Sequence, residues 1–275
     1  MNPHAQQPIS FVALFNSFWL NRPLIFQMIR REVVGRYRGS VLGVVWSFFN
    51  PLFMLLVYTF VFSVIFKARW GGVDESKVEF AVVLFAGMIV HSLFAEVLNR
   101  APTLIQNNTN YVKRVVFPLE ILSIVSLGSA LFHTAISLIV LLMVIVWFNG
   151  FIPLTALLIP LVWFPLILAA LGFGWFLASL GVFLRDVGQV IGILTTVLMF
   201  LAPIFYPLDA IPEEYRVWIL ANPLTFIIIQ SREVLVWGRL PDWYGLSLYF
   251  LFSLVVLGVG FWWFQVTRKG FADVL

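Results

Sequence analysis

The chain has 275 residues, of which 61% are hydrophobic, 11% are charged and none is Cys, and its formal net charge is +4. Soluble domains run at about 45–50% apolar and about 25% charged, so a water-soluble fold of this size would carry more apolar surface than its interior can bury. The lack of Cys excludes disulfides, thiolate metal centres and a thiol nucleophile, and no run of Lys and Arg is dense enough to hold nucleic acid.

Read from the N-terminus, Phe11–Leu20 is a short apolar stretch with no Lys or Arg before it. It reads as an interfacial helix and not as a cleavable leader. Leu24–Arg38 interleaves Arg with apolar residues at helical spacing, the pattern of an amphipathic helix lying in the cytoplasmic interface. Gly35, Gly39 and Gly43 follow four apart, a spacing that lets another helix approach closely, either inside the subunit or at a subunit seam. A span needs about 20 apolar residues. Charge-free Val41–Phe66 supplies the first, and Phe80–Leu98, with His91 and Glu96 near its far end, the second. The polar segment Arg100–Glu120 is expected to project as a short helix between Pro102 and Pro118. Ile121–Phe148, Leu154–Leu184 and Val187–Leu208 give the third, fourth and fifth spans. Val217–Ser231 is too short to cross and is broken at Asn222-Pro223. It is expected to form two short helices dipping into one face, within a gate segment over 209–242. Trp243–Thr267 is the sixth span.

The expected fold is therefore an all-α polytopic membrane protein of six transmembrane helices, one domain over 1–275 whose residues 1–40 form the interface part. Eleven of the 17 Lys and Arg fall on the side of both termini, which the positive-inside bias makes the cytoplasm.

Several chemistries are absent. No G-x-x-x-x-G-K-[S/T] phosphate loop occurs, so the chain has no usual site for ATP. The three histidines, His4, His91 and His133, are too scattered to build a metal site. Glu96 and Glu120 are carboxylates near an interface with no partner recognisable in the sequence. Five of the six spans hold no charge, whereas ion-coupled transporters need titratable groups at mid-membrane. The driving force is expected from a separate ATPase. An ion-coupled secondary transporter and a membrane enzyme acting on a lipid-linked sugar remain as rivals.

The run from Arg36 to Trp46, Arg-Tyr-Arg-Gly-Ser-Val-Leu-Gly-Val-Val-Trp, continues through Asn50-Pro51 and Tyr58. It resembles the N-terminal signature of ABC-2 type permeases, within them the exporters of lipid-linked O-antigen, capsule or wall teichoic acid. Lys113-Arg114 with Phe117-Pro118-Leu119-Glu120, Leu184-Arg185-Asp186-Val187, Ala202-Pro203-Ile204-Phe205-Tyr206-Pro207 and Asn222-Pro223-Leu224 follow in that group's order. The resemblance implies six spans, an interface helix and two short outer gate helices before the last span. It also implies a homodimer with the channel at its seam. No cofactor is implied on this chain; ATP and Mg would sit on two copies of a partner ATPase. An exporter of a small hydrophobic drug or lipid shares that architecture and differs in cargo.

The resemblance also sets expectations for sites. A polyprenyl diphosphate entering from the cytoplasmic leaflet would need cations, and Arg30, Arg31, Arg36 and Arg38 are available for forked hydrogen bonds to phosphate. Their plainer role is to hold anionic head groups. Trp46, Phe49, Phe53 and Phe60 recur at helical spacing, with Tyr58 and Phe62 on the neighbouring face. Trp46, Phe49, Phe53, Tyr58 and Phe62 are the candidate channel aromatics, Tyr58 foremost for its hydroxyl. Tyr111, Lys113 and Arg114 on the first loop, with Arg185 and Asp186 on the second, are the expected contacts to the ATPase.

Overall fold

A computed structural model describes residues 11–65, 77–113 and 117–275, with backbone only for 11–14, 63, 64, 77–79 and 113. Every regular element among the described residues is helical. The helices are α1 (Phe11–Arg36), α2 (Trp46–Tyr58), α3 (Lys77–Leu104), α4 (Thr109–Lys113), α5 (Ile121–Asn149) and α6 (Ile159–Phe183). They continue with α7 (Val187–Phe200), α8 (Glu213–Ala221), α9 (Pro223–Leu235), α10 (Trp243–Thr267) and α11 (Phe271–Val274). Among the described residues, five helical stretches are long and apolar enough to cross a membrane: Gly43–Phe62, Phe80–Leu104, Ile121–Asn149, Leu154–Phe183 and Trp243–Val274.

The expected fifth span departs from its reading. Helix α7 stops at Phe200, a length of about 21 Å against a hydrocarbon core of about 30 Å. Pro203 and Pro207 explain the stop. Proline lacks the N–H the ladder needs and excludes the residue before it from helical backbone. The chain then leaves the α-helix through 201–212, with one 3-10 turn at Leu208–Ala210, braced where Tyr206 Oη donates to the Phe200 carbonyl at 2.5 Å.

Local signals place the other boundaries. Gly150 ends α5 in left-handed backbone, φ +78°, its N–H bonded to the Val146 carbonyl at 2.9 Å, a conformation that suits glycine. Asn222 caps α9 by accepting from Leu224 N, with Pro223 in the first turn. Asp242 caps α10 by accepting from Tyr244 N and Gly245 N. The expected pair of short helices around Asn222-Pro223 is thus present as α8 and α9.

Helix α3 is the centre of the bundle. Its residues from Phe80 to Ala86 are buried, and it packs on α5, α6, α7 and α9. The seam between α6 and α10 is closer still. A Cβ on Gly260 would strike the Gly172 carbonyl, and one on Gly172 would lie 2.5 Å from the Val256 carbonyl. Backbones meet directly there, as small-residue interfaces allow.

The N-terminal region is one helix and not two. Pro23 lies inside α1 without ending it. Ile25, Met28 and Val33 are buried on one face, and Ile29 fits over Gly128 of α5, where a Cβ would displace it. The opposite face exposes Trp19, Phe26, Arg30 and Arg31. Gly35, Gly39 and Gly43 do not serve packing inside the subunit, since a Cβ on any of them meets nothing within 4 Å. Gly39 and Gly43 instead take φ of +88° and +53°, the left-handed backbone that turns the chain from α1 into the first span.

A polar junction ties down the end of the bundle where α5 begins and α10 ends. Glu120 accepts from Arg268 Nη1 and from Ser17 Oγ, each at 2.8 Å. Arg268 Nη2 donates to the Phe117 carbonyl, and Trp175 Nε1 donates to the Glu120 carbonyl. Both carboxylate oxygens are engaged, so Glu120 serves assembly. Glu120→Ala should lower stability by about 1.5–3 kcal/mol, the worth of a charge-assisted hydrogen bond, read as a lower midpoint in thermal size-exclusion.

Candidate functional site

Three groups of residues carry chemistry. The first lies between α1, α3 and α5. Arg36 Nη1 donates to Glu96 Oε1 at 2.6 Å. Arg100, one turn further along α3, reaches the same oxygen at 3.5 Å and pairs also with Glu32 of α1. His133 Nδ1 stands 3.3 Å from Glu96 Oε1 and 3.1 Å from Arg36 Nη1. It can accept from the guanidinium or donate to the carboxylate, not both at once. This cluster borders a cavity of ≈ 820 Å³ that Ser92, Asn99 and His91 also line. A smaller cavity of ≈ 270 Å³, also bordered by Arg36, Glu96 and His133, is lined by Tyr58, Asn50 and Ser137.

The cluster revises the reading of Glu96, which gains Arg100 on its own helix and two partners the sequence does not reveal, Arg36 and His133. His91 and His133 both hydrogen-bond between helices; His91 Nε2 lies 3.0 Å from the Thr195 carbonyl of α7. Of the four arginines grouped by sequence, Arg36 lines both of these cavities. Arg30, Arg31 and Arg38 are exposed, and Arg31 reaches Tyr111 Oη at a long 3.4 Å. Arg100 and Glu32 were missed. Glu32, four residues before Arg36 on α1, and Arg100, four after Glu96 on α3, were the available signal, since such spacing shares one helix face.

The second group is aromatic. Trp46, Phe49 and Phe53 form a ladder along α2, edge to face at 6.4 Å and then stacked at 6.1 Å. Beyond Tyr58 the helix widens to a π-helical turn over Thr59–Ile65. The added residue per turn shifts the faces. Phe60 points outward at 58% exposure, as Phe53 does at 52%, while Tyr58 and Phe62 are half-buried. Tyr58 packs on the core, and Phe62 stacks on Phe205 of the irregular segment at 5.4 Å. The five candidate aromatics thus fall into a lower ladder on α2 and an upper pair joined to the segment after α7.

The third group is at the end of the bundle that carries α4. Arg185 and Asp186 are exposed between α6 and α7. Tyr111 is half-buried and stacks on Phe117 at 4.4 Å, so it shapes the α4 segment from within. Lys113's side chain and Arg114 lie outside the described residues. The two loops are joined. Gln106 Nε2 donates to the Gly181 carbonyl at 2.6 Å, and a Cβ on Gly181 would strike the Pro102 carbonyl.

At the opposite end, Arg232 of α9 is 2% exposed. Its Nε donates to the Val83 carbonyl at 2.9 Å, Nη1 to Pro203 at 2.6 Å and Nη2 to Ile204 at 3.2 Å. Gly87 admits the guanidinium; a Cβ there would lie 2.9 Å from Nη2. Arg232 fastens α9 to α3 and to the segment that ends α7.

The O-antigen export system permease protein RfbA of Myxococcus xanthus is 26% identical over 264 residues, covering 95% of this chain and 99% of the relative. The polysialic acid transport protein KpsM of Escherichia coli is 28% identical over 250 residues, 89% of this chain and 93% of the relative. The capsule polysaccharide export inner-membrane protein CtrC of Neisseria meningitidis serogroup B is 23% identical over 76% of this chain and 78% of its own length. The family model for the ABC-2 type transporter matches residues 23–236, and with that match over most of its length the chain belongs to the ABC-2 type transporter family.

Proposed function

We propose that the chain is the permease subunit of an ATP-driven exporter that moves a lipid-linked polysaccharide out of the cytoplasm across the bacterial inner membrane. The observation that carries this reading is end-to-end similarity to permeases named for O-antigen export and polysialic acid transport. In this reading α7 and the segment after it make the fifth of six spans. Helix α1 lies in the cytoplasmic interface, α8 and α9 form a re-entrant gate on the outer face, and both termini are cytoplasmic. The outward Gly35, Gly39 and Gly43 and the exposed face of α2 supply the seam of a homodimer. Two copies of a partner ATPase, which would hold ATP and Mg, seat on the joined loops through Arg185, Asp186, Tyr111, Lys113 and Arg114.

The chemistry of the sites fits such a cargo. Aromatic faces stack on sugar C–H surfaces without holding any one sugar tightly, so the ladder Trp46, Phe49, Phe53 suits a sliding polymer. Exposed Arg30, Arg31 and Arg38 meet lipid head groups, and Arg36 is the member placed to meet a diphosphate. Expression with the neighbouring ATPase in a permease-deficient strain should restore surface polysaccharide, and the purified complex should hold two copies of each subunit. Failure to restore it, with extrusion of a small hydrophobic dye by the same complex, would favour the drug or lipid exporter. Within the working complex, Tyr58→Phe should keep the packing and slow export several-fold; an unchanged export rate would remove the hydroxyl from the conduit.

A further inference from the structure

We infer that Arg36 and Arg100 form a seat for the phosphate head of the lipid carrier, and that Glu96 occupies this seat until the carrier displaces it. The inference rests on the export reading above. Two guanidiniums from different helices converge on one carboxylate oxygen, Arg36 from α1 at 2.6 Å and Arg100 from α3 at 3.5 Å. That is the donor set that recognises a phosphate, and a carboxylate is its closest protein-borne mimic.

Three observations point to exchange and not to a fixed structural pair. The pair borders the ≈ 820 Å³ cavity lined by Ser92 and Asn99, which leaves room for a head group beside it. Arg36 is 52% exposed along its side chain and Arg100 35%, unlike the buried Glu120–Arg268 pair at 9% and 17%. Glu96 also has a second place to go. His133 Nδ1 lies 3.3 Å away, and its Nε2 is buried with no partner among the described residues. When Arg36 turns to a phosphate, His133 Nδ1–H can donate to the released carboxylate. No covalent bond is made or broken; the carrier's anion takes the place of Glu96 on the two arginines, with Glu32 still beside Arg100.

The arrangement gives the entrance a selectivity. An empty seat is neutralised by Glu96 together with Glu32 of α1, which also pairs with Arg100, so a singly charged lipid head gains little over the resident carboxylates. A diphosphate offers more oxygens and more charge to both arginines and wins the exchange. Because Arg36 leaves α1 at the turn into the first span, the exchange also changes what holds α1 to α3.

The test is binding of farnesyl diphosphate to the full chain in phosphatidylcholine nanodiscs. Arg36→Ala and Arg100→Gln should each weaken binding about tenfold or more, the worth of one charge-assisted hydrogen bond. Glu96→Gln, which keeps size and removes charge, should tighten it about tenfold. A merely structural Glu96 would give weaker binding or none, so the opposite sign is the decisive result. If Glu96→Gln does not yield monodisperse protein, Glu96→Asp withdraws the carboxylate by one methylene and should shift binding the same way. Arg239→Ala, exposed and remote on the loop after α9, should bind as the unaltered chain does.

Inorganic diphosphate should compete; if it does not, the tail and not the head is bound and the seat is wrong. Nanodiscs containing phosphatidylglycerol should leave binding largely unchanged; full displacement would assign the seat to ordinary membrane phosphate and overturn the carrier role. Unchanged affinity in Arg100→Gln or Glu96→Gln would overturn the seat. Polysaccharide export by the unaltered chain is scored separately. Export without arginine-dependent binding removes the seat alone, whereas no export removes the transport reading itself.

Discussion

Arg232→Met should destabilise the folded chain by about 3–5 kcal/mol, the cost of breaking a fully buried charged network by removing one partner. The side chain donates to carbonyls of Val83, Pro203 and Ile204. The last two lie in the irregular stretch after α7, where no helical ladder offers another donor. Their desolvation is then uncompensated, at about 1–3 kcal/mol for each orphaned group. Met fills much of the volume, so the effect reads out lost hydrogen bonds and not a cavity. Arg232→Lys keeps a cation but loses the planar fork, and should fall between the two. Thermal unfolding in detergent followed by size-exclusion measures all three chains. A midpoint in Arg232→Met equal to that of the unaltered chain would show that the clamp contributes nothing.

Gly260→Val should largely abolish recovery of folded protein. Overpacking typically costs about 1–3 kcal/mol because side chains can shift rotamer. Here the first added atom meets the Gly172 carbonyl, which has no rotamer to change. The whole of α10 would have to move off α6, along a seam that runs the length of both. With net stabilities of about 5–15 kcal/mol, losing that seam is enough to unfold the bundle. Gly192→Ala on α7 is the contrast. Its Cβ meets nothing, and the change gains helix propensity of up to about 1 kcal/mol. Normal yields of Gly260→Val would mean that the two helices separate without penalty.

These two residues show where the sequence stops being informative. Arg232 reads as one more flanking positive charge in a row of amino acids. Its burial depends on the carbonyls that Pro203 frees 29 residues away. Gly260 reads as an indifferent glycine, while the conspicuous series Gly35, Gly39, Gly43 faces no neighbour. The spacing of small residues marks where a helix can come close, and only the packed bundle decides whether one does.

The candidate site divides along the same line. The aromatic repeat Trp46, Phe49, Phe53 is visible because α2 keeps its helical period, while the π-helical turn that follows it leaves no mark in the spacing of the residues. Arg36 stands out as a cation, but the residues that give it chemistry, Glu96 and His133, lie 60 and 97 positions away.

The sequence by itself determined that this chain is helical and built for lipid. A backbone in hydrocarbon must satisfy its own hydrogen bonds, so long charge-free runs leave only the helix, and Asn222-Pro223, Asp242 and Gly150 mark ends by local bonding. The tertiary structure alone decided which charges meet. Glu96 with Arg36, Arg100 with Glu32, Glu120 with Arg268 across 148 residues, and Arg232 with three carbonyls are contacts between distant segments. Their energies depend on burial and on distances that no local pattern of residues encodes.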